Sequence, residues 1–289
     1  MRLPRRSLIA AAAAMALPLA AQAQAQGLKL AVTDVVGLEN LQREYAPFQQ
    51  LLSEKAGVKV ELFPVPNRTA AVEALNARRV DLVLTGPAEY VVFKKRTDAK
   101  LVVGLARNEY FGTIVTLAGS GIDSVEDLKG KKVALGDVGS TSRHLAPIQL
   151  LADLGLDPRR DVQIVHINRN VGVEAMRRGD VAAIGVNRSD MPGLQRRFPD
   201  LNFKVIARGR DLPNDMMMAG AHVPADVQAM IRDAIIANKT DVIAAIIAHE
   251  ENDKYLGMDL VTIEDANYDI VRSMYTTAGY PQFDNFIGE

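Results

Sequence analysis

The sequence predicts an α/β protein built from two lobes, and two observations point to this. Short apolar segments alternate with amphipathic segments along most of the chain, which is typical of mostly parallel sheets covered by helices. The order of elements also repeats, because residues 73–82 and 174–181 each contain a helix end, a basic or glycine turn, an Asp and a buried strand. We interpret this repetition as two similarly built lobes and not as a solenoid.

The individual elements follow from the apolar runs and from the residues that punctuate them. Gly57 ends the first helix, and Ser124 caps a short one with Asp127 as its acidic partner three residues later. Strands are predicted at residues 28–32, 58–63, 80–84, 101–106, 113–117, 132–135, 162–167 and 181–186. Helices are predicted at residues 45–56, 69–76, 124–128, from 144 onward and at 171–178. After residue 206 the pattern is mainly helical, with helices at 225–238, 239–249 and 263–277.

Residues 1–25 have the pattern of a secretory signal peptide. A basic start and an apolar run at residues 8–21 precede an expected cleavage near Ala23 or Ala25. The pair Arg5 and Arg6 leaves both the general secretory route and the twin-arginine route open. We therefore expect an exported, periplasmic protein.

Composition excludes several classes of function. The full chain has a net charge of −1, and loss of the three leader arginines lowers it to about −4, so no nucleic-acid surface is expected. The absence of cysteine excludes disulfides and thiolate metal sites, and the four histidines have no metal-ligand spacing, so we expect no metal and no cofactor. No nucleophile elbow and no closely spaced carboxylate pair is found, which argues against an enzyme.

The segment from Gly136 to Ser142 carries the strongest functional pattern. It places a glycine turn and the triplet Ser140, Thr141 and Ser142 between a strand and a helix start. The first turn of a helix offers unpaired N–H groups and the positive end of the helix dipole, and hydroxyls there can bind an anion. No Lys follows in the P-loop pattern, so a nucleotide hydrolase is not indicated. An ordinary helix cap explains the triplet equally well on these residues alone.

This segment, with 128–134 before it, resembles the phosphonate-, phosphite- and phosphate-binding subunits of bacterial ABC transporters. Further matches are at 47–48, 57–60, 81–90 and 109–111, so the resemblance covers roughly residues 28–254. It implies a two-lobe, type II periplasmic binding protein with a hinge of two crossing segments, near 112–116 and 215–219. The implied lobes are residues 26–113 completed by 218–289, and residues 114–217.

The resemblance also implies the ligand-binding residues. Ser140, Thr141 and Ser142 would hold the oxyanion, and Tyr110 would donate its hydroxyl to an anion oxygen from the first lobe. Asp215 would face the cleft near the hinge. Because a carboxylate repels an anion, Asp215 would select a ligand that carries a proton or an amine.

The chain departs from the family pattern at several positions. Arg68 lies where the family often has a Tyr. Its guanidinium either donates charged hydrogen bonds to the anion, or Arg68 is a solvated turn residue. The family's cleft His falls at about Ile167, and His144 either reaches the anion or packs behind it. The acid that binds the amine of aminoethylphosphonate falls near Asn187, which argues against an aminoalkyl ligand.

The sequence therefore predicts a monomeric binding protein that captures phosphate, phosphite or a short alkylphosphonate for an inner-membrane ABC permease. A sensory binding protein of the same fold, which presents an oxyanion, possibly an arsenic one, to a membrane kinase or chemoreceptor, is the first alternative. An enzyme on the same two-lobe fold is the second. The docking surface of a permease or a sensor is not a sequence motif, so the first two are not separated here.

Overall fold

The computed structural model describes residues 27–287, and the predicted signal peptide lies outside the described residues. Two sheets form the framework. The first contains Leu28–Val32 (β1), Val60–Leu62 (β2), Leu82–Thr85 (β3), Lys100–Ala106 (β4), Asp215–Ala219 (β10) and Asp259–Val261 (β11). The second contains Phe111–Leu117 (β5), Lys132–Leu135 (β6), Gln163–His166 (β7), Ala183–Asn187 (β8) and Phe203–Asp211 (β9).

Helices cover both sheets, as the alternating pattern predicts. Within residues 27–287 the longer helices are Leu38–Ala56 (α1), Arg68–Asn76 (α2), Pro87–Thr97 (α3), Ala146–Asp153 (α4), Arg169–Arg177 (α5), Met191–Arg197 (α6), Ala225–Ala237 (α7), Lys239–Ile246 (α8) and Asp269–Thr277 (α9). Short 3₁₀ segments lie at Glu126–Leu128, Arg188–Asp190, Glu250–Tyr255 and Asp265–Tyr268. None of the helices in the described part of the chain is long and apolar enough to cross a bilayer.

Several predicted elements differ from the structure in ways that have local causes. The last predicted helix, at 263–277, is split, because a capping box with Glu264 as its cap first forms the 3₁₀ turn and only then α9 begins. Helices α3 and α6 were not predicted. The Tyr90–Phe93 part of α3 is buried all round and therefore lacks the apolar stripe that indicates a helix. The stretch after residue 206 also contains most of β9 and all of β10.

Five strands of each sheet follow the same topology, and β11 is an additional edge strand of the first sheet. The first has the order β11-β4-β10-β3-β1-β2, with β1 parallel to β2 and β3 and with β10 antiparallel to β3 and β4. The second has the order β7-β6-β8-β5-β9, with β6 parallel to β7 and β8 and with β5 antiparallel to β8 and β9. The prediction of an α/β protein with two similarly built lobes is therefore confirmed.

The chain passes between the sheets twice, at residues 107–110 and 212–214. These two crossings touch, because the Leu212 N–H donates to the Tyr110 carbonyl at 2.8 Å. The hinge positions predicted at 112–116 and 215–219 are wrong by a few residues, since both segments are paired strands inside the sheets. The lobe boundaries at 113/114 and 217/218 stay a prediction.

Helix α9 connects the two lobes on the side of the molecule where the cores meet. Tyr268 and Met274 pack in one apolar cluster with Leu145 and Ala146 of the second lobe. The Thr277 hydroxyl also donates to Gln149 Oε1 at 2.7 Å. Within residues 27–287, the two crossings and the packing of α9 thus join the lobes next to each other.

Candidate functional site

A cleft of about 590 Å³ lies between the two sheets. Its walls are the loops that follow β1, β2 and β3 on one side and β6 and β8 on the other, with the crossing at 107–110 at its base. Ligands of open α/β sheets bind at such carboxyl ends of parallel strands, because loops and helix starts converge there. The position of the cleft follows from the topology of both sheets.

The glycine turn before the Ser-Thr-Ser triplet is shaped by two glycines. Gly139 has a φ of 82°, a left-handed conformation that favours glycine. A Cβ on Gly136 would lie 2.8 Å from the Cβ of Arg143, so no side chain fits there. The helix that follows starts with a wide turn over Thr141–Leu145, in which the Leu145 N–H donates to the Ser140 carbonyl.

The three hydroxyls of the triplet have different surroundings, and all three line the cleft. Ser140 Oγ caps the helix and accepts from the Arg143 N–H at 3.4 Å. Thr141 Oγ1 accepts from the Ala88 N–H at the start of α3, in the other lobe, at 3.0 Å. The buried Ser142 hydroxyl makes no hydrogen bond within residues 27–287, so it is free to donate. The cap explanation therefore describes Ser140. The hydroxyls of Thr141, which interacts with the Tyr110 hydroxyl, and of Ser142 line the cleft without capping the helix.

Tyr110 and Asp215 meet on the first-lobe side of the cleft. The Arg107 guanidinium stacks on the Tyr110 ring, with Cζ 3.8 Å from the ring centroid, and its Nη1 lies 3.5 Å from Asp215 Oδ2. The Tyr255 hydroxyl donates to the same Oδ2 at 2.8 Å. Burial, aided by the charge of Asp215, raises the pKa of Tyr110, so its hydroxyl keeps its proton.

Two buried acceptors in the cleft have no partner among the described residues. They are Asp215 Oδ1 and Asn187 Oδ1, on residues that are 2% and 1% exposed. A buried acceptor without a donor costs free energy, so these atoms indicate that a bound molecule brings hydrogen-bond donors to this part of the cleft.

Arg68 lines the cleft but is already paired. Its Nε lies 2.6 Å from Glu89 Oε1, and its Nη1 donates across the cleft to the Val138 carbonyl at 3.4 Å. Burial raises the pKa of Glu89, and Arg68 opposes that rise. Asp34 lies 3.9 Å from Arg68 and pairs with Lys254 at 2.7 Å, which lowers the pKa of Asp34. Arg68 is thus neither a solvated turn residue nor an unpaired cation.

His144 is not among the residues that line the cleft, so its geometry agrees with the alternative that it packs behind the anion-binding residues. Its Nδ1 accepts from the Gly139 N–H at 2.9 Å, so it supports the glycine turn from behind. The His166 ring packs edge-on against the His144 ring, with the two ring centroids 4.5 Å apart. His166 Nδ1 donates to the Gly136 carbonyl at 2.8 Å. Burial, aided by His166, lowers the pKa of His144 to about 4, so the ring is neutral at physiological pH.

Comparison with known proteins agrees with this architecture. A family model described as "ABC transporter, phosphonate, periplasmic substrate-binding protein" matches residues 31–266. The chain belongs to this family. Its members are substrate-binding components of transporters, and the family description places them in the periplasm.

Individual relatives match over shorter stretches. The chain is 30% identical over 137 residues to the phosphate-import protein PhnD of Mycolicibacterium smegmatis, which is 45% of this chain and 42% of that protein. It is 30% identical over 100 residues to the tetrathionate sensor histidine kinase TtrS of Salmonella typhimurium, which is 32% of this chain and 17% of that protein. The chain thus spans less than half the length of these relatives.

The solved structures agree on the fold. PhnD1 from Prochlorococcus marinus, in complex with methylphosphonate, superposes with a TM-score of 0.67 at 17% identity, over 88% of this chain and 98% of that one. At this identity the likeness concerns the two-lobe fold alone, and that fold is the one predicted from the sequence.

The sequence analysis missed several charged residues of the cleft. Besides Arg68, the cations are Arg107, Arg143 and Lys254, while Asp34, Glu89 and Asp190 are carboxylates of the same cleft. Only Arg143 had a usable signal, because it follows the Ser-Thr-Ser triplet directly. Within residues 27–287, no group of three or more His, Asp or Glu side chains is arranged to hold a metal ion.

Proposed function

We propose that this family member captures a small phosphorus oxyanion, namely phosphate, phosphite or a short alkylphosphonate, for import by an inner-membrane ABC permease. One observation carries the proposal: hydroxyl donors of Thr141, Ser142 and Tyr110 line the same cleft as Asp215 Oδ1, which has no partner among residues 27–287. A ligand that suits this cleft has ionised oxygens to accept and a proton to donate. The matched relative that is named for phosphate import supports this class of ligand.

The proposed recognition separates two kinds of ligand oxygen. The hydroxyls of Thr141 and Ser142 donate to ionised oxygens, which gives charge-assisted hydrogen bonds in a site partly shielded from water. Asp215 Oδ1 accepts from a protonated oxygen of the ligand. Sulfate has no proton at neutral pH, so it would face the Asp215 charge with an unfavourable contact. The cleft should therefore reject sulfate and accept phosphate or a monoanionic alkylphosphonate.

An aminoalkyl ligand fits this cleft less well. An ammonium group needs carboxylates around it, and the position at the end of β8 is an amide, Asn187. Asp215 already has Arg107 and Tyr255 as partners on its second oxygen. Asp215 Oδ1 therefore has room for one donor, which a single P–OH supplies.

Closure of the lobes would complete the site. Two contacts already cross the cleft, from Ala88 to Thr141 and from Arg68 to Val138. The only two backbone passages between the described sheets, 107–110 and 212–214, are short enough to act as a hinge. Binding between the lobes would then draw them together before delivery to the permease.

The test is a binding panel on the purified mature protein. Thermal unfolding is measured with phosphate, phosphite, methylphosphonate, arsenate, sulfate and 2-aminoethylphosphonate, and each hit is titrated by calorimetry. A ligand at 100 times its Kd raises the unfolding free energy by about 2.7 kcal/mol, which shifts the Tm by several degrees. We expect stabilisation by at least one of the first three ions and none by sulfate. Stabilisation by sulfate alone, or by 2-aminoethylphosphonate alone, would refute the proposal.

A sensory role is the second candidate, because the chain shares 30% identity over 100 residues with part of a sensor histidine kinase. In that case the closed, ligand-bound protein would dock on a membrane kinase instead of a permease. The two roles are separated by uptake of radiolabelled phosphate in cells with and without the gene. A defect in uptake supports transport, whereas unchanged uptake with altered transcription in response to the oxyanion supports sensing.

A further inference from the structure

One buried carboxylate connects the three strand-end loops of the second lobe. Asp190, which is 5% exposed, accepts at Oδ2 from Arg143 Nε at 2.9 Å and at Oδ1 from Arg143 Nη2 at 2.8 Å. Oδ1 also accepts from Arg169, and Oδ2 accepts from the Asn187 N–H at 3.1 Å. Arg143 follows β6, Arg169 follows β7 and Asn187 ends β8, so a single carboxylate fixes all three loops.

The two arginines on Asp190 differ in where they lie. Arg143 lines the cleft directly beside the Ser-Thr-Ser triplet, and its side chain is 39% exposed. Arg169 does not line the cleft. The Arg143 guanidinium donates to Asp190 through Nε and Nη2, and its Nη1 makes no hydrogen bond within residues 27–287. Arg143 thus has a fixed orientation and a spare pair of donors.

We propose that Arg143 is a further ligand-binding residue, with its Nη1 donating to the bound oxyanion, and that Asp190 is its positioning residue. The inference rests on the proposed function, since it adds a charged donor to the hydroxyls of the same cleft. Two hydrogen bonds to one carboxylate fix the plane of the guanidinium. The Arg143 side chain is therefore already ordered in the free protein, so ligand binding does not have to restrict it further.

Arg143 differs from the other cations of the cleft in how its charge is paired. On the first-lobe side, Arg107 faces Asp215, while Arg68 and Lys254 alternate with Glu89 and Asp34, so each cation has a carboxylate of its own. On the second-lobe side, two guanidiniums share the single carboxylate of Asp190. Arg143 therefore shares its ion-pair partner with Arg169, and the other second-lobe carboxylate that lines the cleft, Asp137, makes no ion pair within residues 27–287. The Asp137 carboxylate is exposed, and it is the group with which a ligand anion would compete.

The pKa values of Arg143 and Asp190 are shifted by burial and by their charged neighbours. Burial and the charge of Arg107 lower the pKa of the Arg143 guanidinium, but its hydrogen bonds to Asp190 and the charges of Asp190 and Asp137 raise the pKa overall, so it stays charged. Burial raises the pKa of Asp190, but Arg143 and Arg169 lower it overall, so it stays ionised. Arg143 therefore offers a permanent positive charge at any pH at which the protein is folded.

The experiment compares Arg143→Gln with Arg169→Gln, because both changes remove one guanidinium from Asp190 and only the first removes a cleft donor. Calorimetry with phosphate and with methylphosphonate should show an affinity loss of about 10- to 100-fold for Arg143→Gln, as expected for a hydrogen bond to a charged group. We expect a loss below about threefold for Arg169→Gln. The affinity of Arg143→Gln should also depend less on salt concentration than that of the wild type.

Asp190 is tested as a positioning residue with Asp190→Asn, alone and combined with Arg143→Gln. The single change should weaken binding in the wild-type background and add little in the Arg143→Gln background, since its effect acts through Arg143. Thermal unfolding without ligand identifies any variant that fails to fold. Equal affinities and equal salt dependence for Arg143→Gln and wild type would overturn the inference. A wild type that binds none of phosphate, phosphite and methylphosphonate would instead refute the proposed function.

Discussion

Mild acid should destabilise this protein through one buried histidine. His144 Nδ1 accepts from the Gly139 N–H, and a proton on that nitrogen would remove the acceptor. Burial, with His166 beside it, lowers the pKa of His144 from the ordinary 6.5 to about 4 in the folded state. Between those two values the unfolded chain binds a proton that the folded chain does not, so stability falls as the pH drops.

The size of this effect follows from the two pKa values. A difference of one pKa unit corresponds to about 1.36 kcal/mol, so His144 should lower the unfolding free energy by about 3 kcal/mol between pH 6.5 and pH 4. The loss begins near pH 6.5 and is complete near pH 4. Asp34 and Asp190 have lowered pKa values and lose their contribution at more acidic pH. The window from 6.5 to about 4.5 therefore separates His144 from these two carboxylates. Glu89, whose pKa burial raises, changes stability in the opposite direction there, so the contribution of His144 is the difference between wild type and a variant without this histidine.

The assay is urea unfolding followed by circular dichroism at several pH values between 7.5 and 4.5. The variant His144→Gln removes the titrating group, and its side-chain oxygen can accept from Gly139. Its unfolding free energy should change less with pH than that of the wild type. His166→Gln is the control, because it removes the neighbouring ring but leaves His144 buried. A pH dependence as steep in His144→Gln as in the wild type would refute the reasoning.

Three further predictions concern the cleft. Thr141→Ala should lower the affinity for the oxyanion, measured by calorimetry, by about 10- to 100-fold. Thr141→Ser keeps the hydroxyl and should bind nearly as well as wild type. Equal affinities for Thr141→Ala and wild type would mean that the triplet is a helix cap only. Saturating phosphate should reduce the radius of gyration in small-angle scattering, and an unchanged profile despite proven binding would exclude hinge closure. Asp215→Asn should reduce the ratio of the phosphate affinity to the sulfate affinity, because an amide can donate a hydrogen bond to sulfate and a carboxylate cannot. If the wild type already binds phosphate and sulfate equally well, the proposed role of Asp215 is wrong.

The sequence predicted the parts of the fold that depend on near neighbours along the chain. The strands and most helices follow from the spacing of apolar residues along the chain. The glycine turn before Ser140 follows from residues that lie within seven positions of one another. The two-lobe fold was predicted because the pattern repeats. The hinge positions implied by the family resemblance lie a few residues too late, since the strand partners that place residues 112–116 and 215–219 inside the sheets lie far away in the chain.

Only the tertiary structure decided which side chains share the cleft. Asp190 lies 47 residues from Arg143, and Asp215 lies 40 residues from Tyr255, so no local pattern could pair them. The sequence left open whether His144 reaches the anion or packs behind it, and in the structure the wide first turn of its helix brings the ring to the Gly139 N–H. The physical reason is that strand, turn and cap preferences act over a few residues, whereas burial and ion pairing depend on which loops the two sheets bring together.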